Sequence, residues 1–297
     1  MLNSLKSFVA ALVHGAKVPR LLMAEGNEQG DAKQLLRKSY NFFLNCTYKV
    51  LSVGPIPEHI AFIMDGNRRY AKMNNIDPAD SHRPGFIALM SVIKHCYELG
   101  VRYITIYAFS LHNFRRKPEE IERLMNWMRE KIDTFLEDDG FIKRYGVRIY
   151  FVGKLEELSE DLQVATNKAM EVTANNTTTY LLVCVAYTST DEIAHAVEES
   201  IPCNGTIRKQ ENNLATFRIE LAELEKQMYM AVGPMPDILV RSSGETRLSN
   251  FLLWQTDRCL LYSPSALWPE LGLGNLVWAV ISYQRQYLYL QKIRKSF

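Results

Sequence analysis

Three short polar strings hold most of the residue types in this 297-residue chain that could do chemistry. They are Asp65-Gly66-Asn67-Arg68-Arg69-Tyr70, Ser110-Leu111-His112-Asn113-Phe114-Arg115-Arg116, and Arg241-Ser242-Ser243-Gly244-Glu245-Thr246-Arg247-Leu248-Ser249. Each follows an apolar run, respectively Ile60–Met64, Val101–Phe109 and Pro236–Val240, and so reads as a buried strand emptying into a polar loop. In open α/β sheets, ligands sit where strands end in that way. Asp65 is a hard oxygen ligand suited to Mg2+, Gly66 lets backbone approach a ligand closely, and Asn67 offers donors. Arg68, Arg69, Arg116, Arg241 and Arg247 carry planar forks that grip phosphate oxygens bidentately, each charged contact contributing on the order of 1.5–3 kcal/mol. Arginines of this kind set against one conspicuous loose carboxylate, Asp65, suit a magnesium diphosphate.

The elements that must position these strings alternate. Val147–Val152, Tyr180–Ala186 and Cys259–Tyr262 read as three further strands, making six. Between them, Phe86, Leu89, Met90, Ile93 and Tyr97 trace a helix with Pro84 in its first turn and Gly100 at its end. His82 stands at the start of that helix, facing the same end of the sheet as Asp65. A second helix opens at Pro118-Glu119-Glu120 with the stripe Ile121, Leu124, Met125, Met128, Ile132, Phe135 and Leu136. Others run over Ser159–Ala174, from Asp191, from Phe217 through Met228 and over Leu273–Arg294. The expected fold is α/β: a central, mostly parallel six-stranded sheet flanked by helices.

Residues 54–297 are expected to form one domain, preceded by an extension over 1–53. Within the extension, residues 1–23 contain Lys6, Lys17 and Arg20 but no acid, with Leu2, Leu5, Phe8, Val9 and Leu12 near helical spacing. This pattern suits peripheral contact with an anionic membrane surface or an organelle transit peptide. Residues 24–34 read as a linker, and Leu35–Val53 as a second amphipathic helix stopped by Gly54-Pro55-Ile56-Pro57.

Composition narrows the classes. A net charge of +2 points to no nucleic acid or other polyanion. No apolar run approaches the ~20 residues a membrane-spanning helix needs. The five cysteines are widely spaced and form no Cys-x-x-Cys pair, which implies a reducing compartment and no structural zinc.

The string Ile63–Tyr70 resembles the first signature region of the cis-prenyltransferases, the family of undecaprenyl and dehydrodolichyl diphosphate synthases, in the Asn-Arg-Arg-Tyr form typical of its eukaryotic members. Arg241–Gln255 resembles the last signature region, and Leu267-Trp268-Pro269-Glu270 the segment after it. The resemblance covers Gly54 to Tyr289 and is closest to dolichol-type and plant rubber-type catalytic subunits. It implies an enzyme that condenses isopentenyl diphosphate onto an allylic diphosphate such as farnesyl diphosphate. Successive cis additions would make a long-chain polyprenyl diphosphate, a dolichol or rubber precursor, with the product held in a hydrophobic tunnel walled partly by the Ile121–Leu136 stripe.

By the same resemblance, Asp65 holds Mg2+, and Gly66, Asn67, Arg68, Arg69, His82 and Arg116 cradle the allylic diphosphate. Arg241, Arg247 and Ser249 hold isopentenyl diphosphate. Asp65, Asn67, Ser110 and Asn113 form the catalytic set, the last three near the departing proton. The chain departs from the family pattern in three places. His112 stands where an acid is usual, two aspartates lie in Ile76–Ser81, and the C-terminal residues lack an Arg-x-Gly. In the family, a partner resembling the Nogo-B receptor supplies that tripeptide when the catalytic chain does not, so a heteromer is expected, on the cytosolic face of the endoplasmic reticulum or, alternatively, in a plastid or mitochondrion. The alternative role is a non-catalytic partner subunit, but such chains lack the Asp-Gly-Asn-Arg loop. An all-helical trans-prenyltransferase needs Asp-Asp-x-x-Asp, whereas Asp138-Asp139 is followed by Gly140-Phe141-Ile142.

Overall fold

The computed structural model describes residues 31–77, 80, 82–136, 141–201 and 221–295. The basic segment 1–23, the Asp138-Asp139 pair and most of the loop expected over Ile201–Asn213 lie outside the described residues. In chain order the elements are α1 (Asp31–Leu51), β1 (His59–Ile63), α2 (Asn67–Met73), α3 (Arg83–Leu99), β2 (Tyr103–Tyr107), α4 (Pro118–Leu136), α5 (Phe141–Tyr145), β3 (Val147–Val152), α6 (Glu160–Val172), β4 (Thr179–Cys184), α7 (Ser189–Ser200), α8 (Leu221–Gln227), β5 (Ile238–Arg241), β6 (Leu260–Tyr262) and α9 (Leu273–Lys295). The strands form a six-stranded sheet in the order β3-β4-β2-β1-β5-β6, with β1–β5, β5–β6 and β3–β4 pairing in parallel. The apolar runs read as strands are strands, and parallel pairing explains why β1 and β5 are buried along their whole length.

The chain divides into two compact units. The first takes the described residues through Ile106, Pro236–Arg247 and Arg258 onward; the second takes Tyr107–Met235 and Leu248–Asp257.

In the first unit, α3 buries Ala88, Leu89, Val92, Ile93, Cys96 and Leu99, the three-to-four spacing of a helix laid on a sheet, and Gly100 closes it in the left-handed conformation (φ 85°). Asp237, at the entry to β5, is the anchor at that end of the strands. It accepts hydrogen bonds from the N–H groups of Glu58 (2.6 Å) and His59 (3.1 Å), from the Tyr283 hydroxyl (3.2 Å) and from Arg294 (2.6 Å). One buried carboxylate therefore ties β1, β5 and both halves of α9 together. Helix α1 joins this unit through Tyr48, whose hydroxyl lies 2.6 Å from His95 Nδ1, and through Leu51, whose carbonyl accepts from Gln284 (2.7 Å). It starts at Asp31, so the expected linker through Gln34 is already helical at its end. Ala32, Lys33 and Gln34 are good helix formers, and an aspartate suits a helix start.

In the second unit, α6 covers β3, and Thr173 Oγ1 accepts from Ile149 N–H. α7 carries Glu192, fully buried, whose carboxyl accepts from Tyr187 O–H, the Met230 N–H and Gln255 Nε2. Along α4 only Met125 and Ile132 of the expected stripe are buried; Ile121, Leu124, Met128, Phe135 and Leu136 are half-buried. The periodicity marked the right face, and that face is only partly covered by protein.

Candidate active site

Asp65 hangs from the end of β1. Its carbonyl accepts from Ser242 Oγ–H (2.7 Å) and Trp268 N–H (2.9 Å), so the turn is fixed from two directions. Gly66 follows with φ 106°, and a Cβ there would lie 2.9 Å from Leu267 Cδ2. The conformation and the crowding both require glycine; the close approach predicted for a ligand is here to Leu267. Helix α2 then presents Asn67, Arg68 and Arg69. Arg68 is exposed, and Arg69, one turn from Asp65, reaches its Oδ1 at 3.4 Å.

From the adjacent strand, Arg241 stands in register with Ile63. It is 5% exposed, donates to Asp65 Oδ2 at 2.7 Å and also donates to the Arg247 carbonyl. Arg247 itself approaches Asp65 Oδ2 at 3.9 Å. Between the two arginines the chain turns through Ser243 (φ 74°) and Gly244 (φ 69°). Their N–H groups are tied to the carbonyls of Ala266 (2.6 Å) and Pro264 (2.8 Å). Ser243 thereby offers its hydroxyl to Arg69, which donates to it at 2.6 Å, a local strain of the kind found at binding sites. Glu245 pairs with Arg247 and lies 3.8 Å from Arg69.

Three guanidiniums and two carboxylates leave one positive charge in excess. Partial burial alone would raise the Asp65 carboxyl. The hydrogen bond and charge of Arg241, with Arg69 behind them, outweigh it and hold the group below the usual carboxylate range. One expectation needs correcting: Asp65 is not loose, because three arginines converge on it. Arg69, expected at one diphosphate, and Arg241 with Arg247, expected at the other, all reach that carboxylate. Glu245 and Ser243 stand in the same cluster and are not among the residues expected there. The only sequence signal was their place between Arg241 and Arg247; pairing with Arg69 depends on the β1–β5 register.

Among the described residues no group of three or more His, Cys, Asp or Glu side chains could hold a metal ion. Mg2+, however, is commonly bound by one or two carboxylates together with substrate phosphates. Asp65, about a quarter exposed at a strand end, fits that mode.

His82 stands immediately before α3. The other expected residues belong to the second unit. Ser110 and Asn113 come together: Asn113 Oδ1 accepts from Ser110 N–H (2.9 Å), and Ser110 Oγ accepts from His112 N–H (3.2 Å). Arg116 donates to Glu120 at 2.9 Å. Ser249 and Asn250 are both left-handed (φ 51° and 59°). That turn is held by Asn250, whose carbonyl accepts from Ser189 N–H (2.8 Å) and whose Oδ1 accepts from Thr190 N–H (3.1 Å).

The profile of the undecaprenyl diphosphate synthase (Prenyltransf) family matches residues 63–289. The chain is 50% identical over 272 residues to tomato dehydrodolichyl diphosphate synthase CPT3, covering 86% of this chain and 94% of that protein. It is 40% identical over 249 residues to the human dehydrodolichyl diphosphate synthase complex subunit DHDDS, covering 84% of this chain and 73% of the human one. Among solved structures it superposes on lavandulyl diphosphate synthase of Lavandula x intermedia, in complex with dimethylallyl diphosphate. The TM-score is 0.67 and the identity 27%, over 77% of this chain and 95% of that one.

Proposed function

The chain belongs to the cis-prenyltransferase family of undecaprenyl diphosphate synthases, and from that premise we propose that the cluster of Asp65, Arg69, Arg241 and Arg247 is the diphosphate end of its active site. The protein is an enzyme of prenyl transfer that lengthens an allylic diphosphate with isopentenyl units in the cis sense. The observation that carries the site assignment is the convergence of three arginines, from two adjacent parallel strand ends, on one carboxylate.

Each addition breaks the allylic carbon–oxygen bond, joins that carbon to the terminal alkene carbon of isopentenyl diphosphate, and releases diphosphate and a proton. The arginines offer charge already placed where negative charge develops on the leaving oxygens, and such preorganised charge is worth most at that moment. Asp65 would hold Mg2+, which when bound adds Lewis-acid stabilisation of the leaving group. Gly66, Asn67, Arg68, Arg69, His82 and Arg116 take the allylic diphosphate; Arg241, Arg247 and Ser249 take that of isopentenyl diphosphate. Asn67, Ser110 and Asn113 stand near the proton that leaves. The half-buried apolar stripe of α4 supports a product tunnel, and the names of the relatives support a dolichol-type long-chain product.

The human relative's name as a complex subunit supports a second chain, which we assign as a Nogo-B-receptor-like partner contributing an Arg-x-Gly. Among the described residues no helix is long and apolar enough to cross a membrane. We place the enzyme peripherally on the endoplasmic reticulum through its basic amphipathic segment 1–23.

Initial rates with both substrates varied test the site. Arg247→Ala should raise KM for isopentenyl diphosphate far more than for the allylic substrate, and Arg68→Ala should do the reverse. Equal effects of each variant on both constants would refute the assignment.

A further inference from the structure

Gly85 lies in the first turn of α3 with ordinary helical backbone, where the helix itself does not call for glycine and alanine would favour it. Its surroundings supply the reason. A Cβ at Gly85 would lie 2.2 Å from Asn67 Oδ1, 3.1 Å from Asn67 Cγ and 3.1 Å from Trp268 Cδ1. The Asn67 amide is pinned, since its Nδ2 donates to the Met64 carbonyl at 3.2 Å, and that bond decides which end of the amide turns toward Gly85. The Oδ1 so turned is buried and has no donor within hydrogen-bond distance. Trp268, 1% exposed, closes the far side: its Nε1–H donates to the Gly85 carbonyl at 2.8 Å and its main-chain N–H to the Asp65 carbonyl at 2.9 Å.

We propose that Gly85 is a positioning residue of the active site: its missing side chain is the slot in which the Asn67 amide oxygen lies, and Trp268 holds that slot against the Asp65 turn. The inference rests on the reading of Asn67 as one of the residues at the reacting centre. The Gly85 backbone and the indole are fixed by their own hydrogen bonds, so a methyl group at Gly85 displaces the Asn67 side chain and breaks its bond to Met64. A displacement of about an ångström at a reacting centre can cost on the order of 100-fold in rate.

A double-mutant cycle on the full chain tests this, measuring kcat, both KM values and melting temperature for wild type, Gly85→Ala, Asn67→Ala and the double variant. Gly85→Ala and Asn67→Ala should each lower kcat by roughly 10- to 100-fold. The double variant should be no worse than Asn67→Ala alone, because the atom that clashes is gone. Most of any fall in melting temperature caused by Gly85→Ala should be recovered in the Asn67→Ala background, where the 2.2 Å contact is gone and only the tighter-than-usual 3.1 Å approach to Trp268 is left. Unchanged kcat in Gly85→Ala, multiplied losses in the double variant, or a melting temperature that Asn67→Ala does not recover would each overturn the role of Gly85. Full turnover in Asn67→Ala would instead refute the catalytic reading of Asn67, and the inference with it.

Discussion

At the scale of single residues, the proposed site turns on Asp65, held by Arg241 at 2.7 Å and by Arg69 at 3.4 Å. Asp65→Ala should abolish turnover while leaving the fold in place. The Asp65 turn is held through its main-chain carbonyl, which the substitution does not touch. Circular dichroism beside a turnover assay decides this, and substantial activity in the folded variant would remove Asp65 from the metal role. Arg241 behaves differently from Arg247. Being buried and bonded to both Asp65 and the Arg247 carbonyl, it should cost stability as well as isopentenyl diphosphate affinity when changed to alanine. Arg247, mostly exposed, should cost affinity alone. Thermal melts of the two variants separate them, and equal melting temperatures would mean that Arg241 is not the structural member of the pair. These residues were legible because each lies in a contiguous string after an apolar strand. Glu245 and Gly85 were not, since their meaning lies in contacts with Arg69 and Asn67 made across distant parts of the chain.

At the scale of elements, two buried ionisable groups make predictions. His95, on α3 against Tyr48 of α1, is held down to about 4, first by burial and then by the charge of Lys94. The unfolded chain takes up a proton near the ordinary 6.5 that the folded chain refuses, so stability is intact above that pH and falls as pH drops toward about 4. Urea unfolding at pH 7.5 and pH 5 should show a smaller acid loss in His95→Gln than in wild type; an identical loss would rule His95 out as its source. On α7, burial pushes the Glu192 carboxyl up, while Tyr187, Gln255 and Met230 satisfy it and pull it partly back. Glu192→Ala leaves those buried donors without their acceptor, and should cost about 1–3 kcal/mol or more in an unfolding titration. An unchanged midpoint would contradict the network. Strand and helix positions were readable from period and from Pro84 and Gly100. The start of helix α1 is not legible because its polar first turn looks like a linker, and the cover over α4 is not legible because periodicity marks a face without saying what lies on it.

At the scale of the whole molecule, the family's reaction asks for more than the sheet and its loops: two prenyl diphosphates and, as proposed, a metal, an apolar path for the product and a second chain. The sequence carried the reaction class because the signature strings are long and stand in family order. It did not carry the convergence of the arginine sets, which depends on β1 and β5 being neighbours in register. The most direct test supplies the full chain, alone and co-expressed with a Nogo-B-receptor-like partner ending in Arg-x-Gly, with Mg2+, labelled isopentenyl diphosphate and farnesyl diphosphate. Products are then sized and the geometry of each new double bond assigned. The predicted result is a polyprenyl diphosphate whose added units are all cis, formed strongly with the partner and weakly or not at all without it; trans added units, or no chain extension in either arm, would contradict the account.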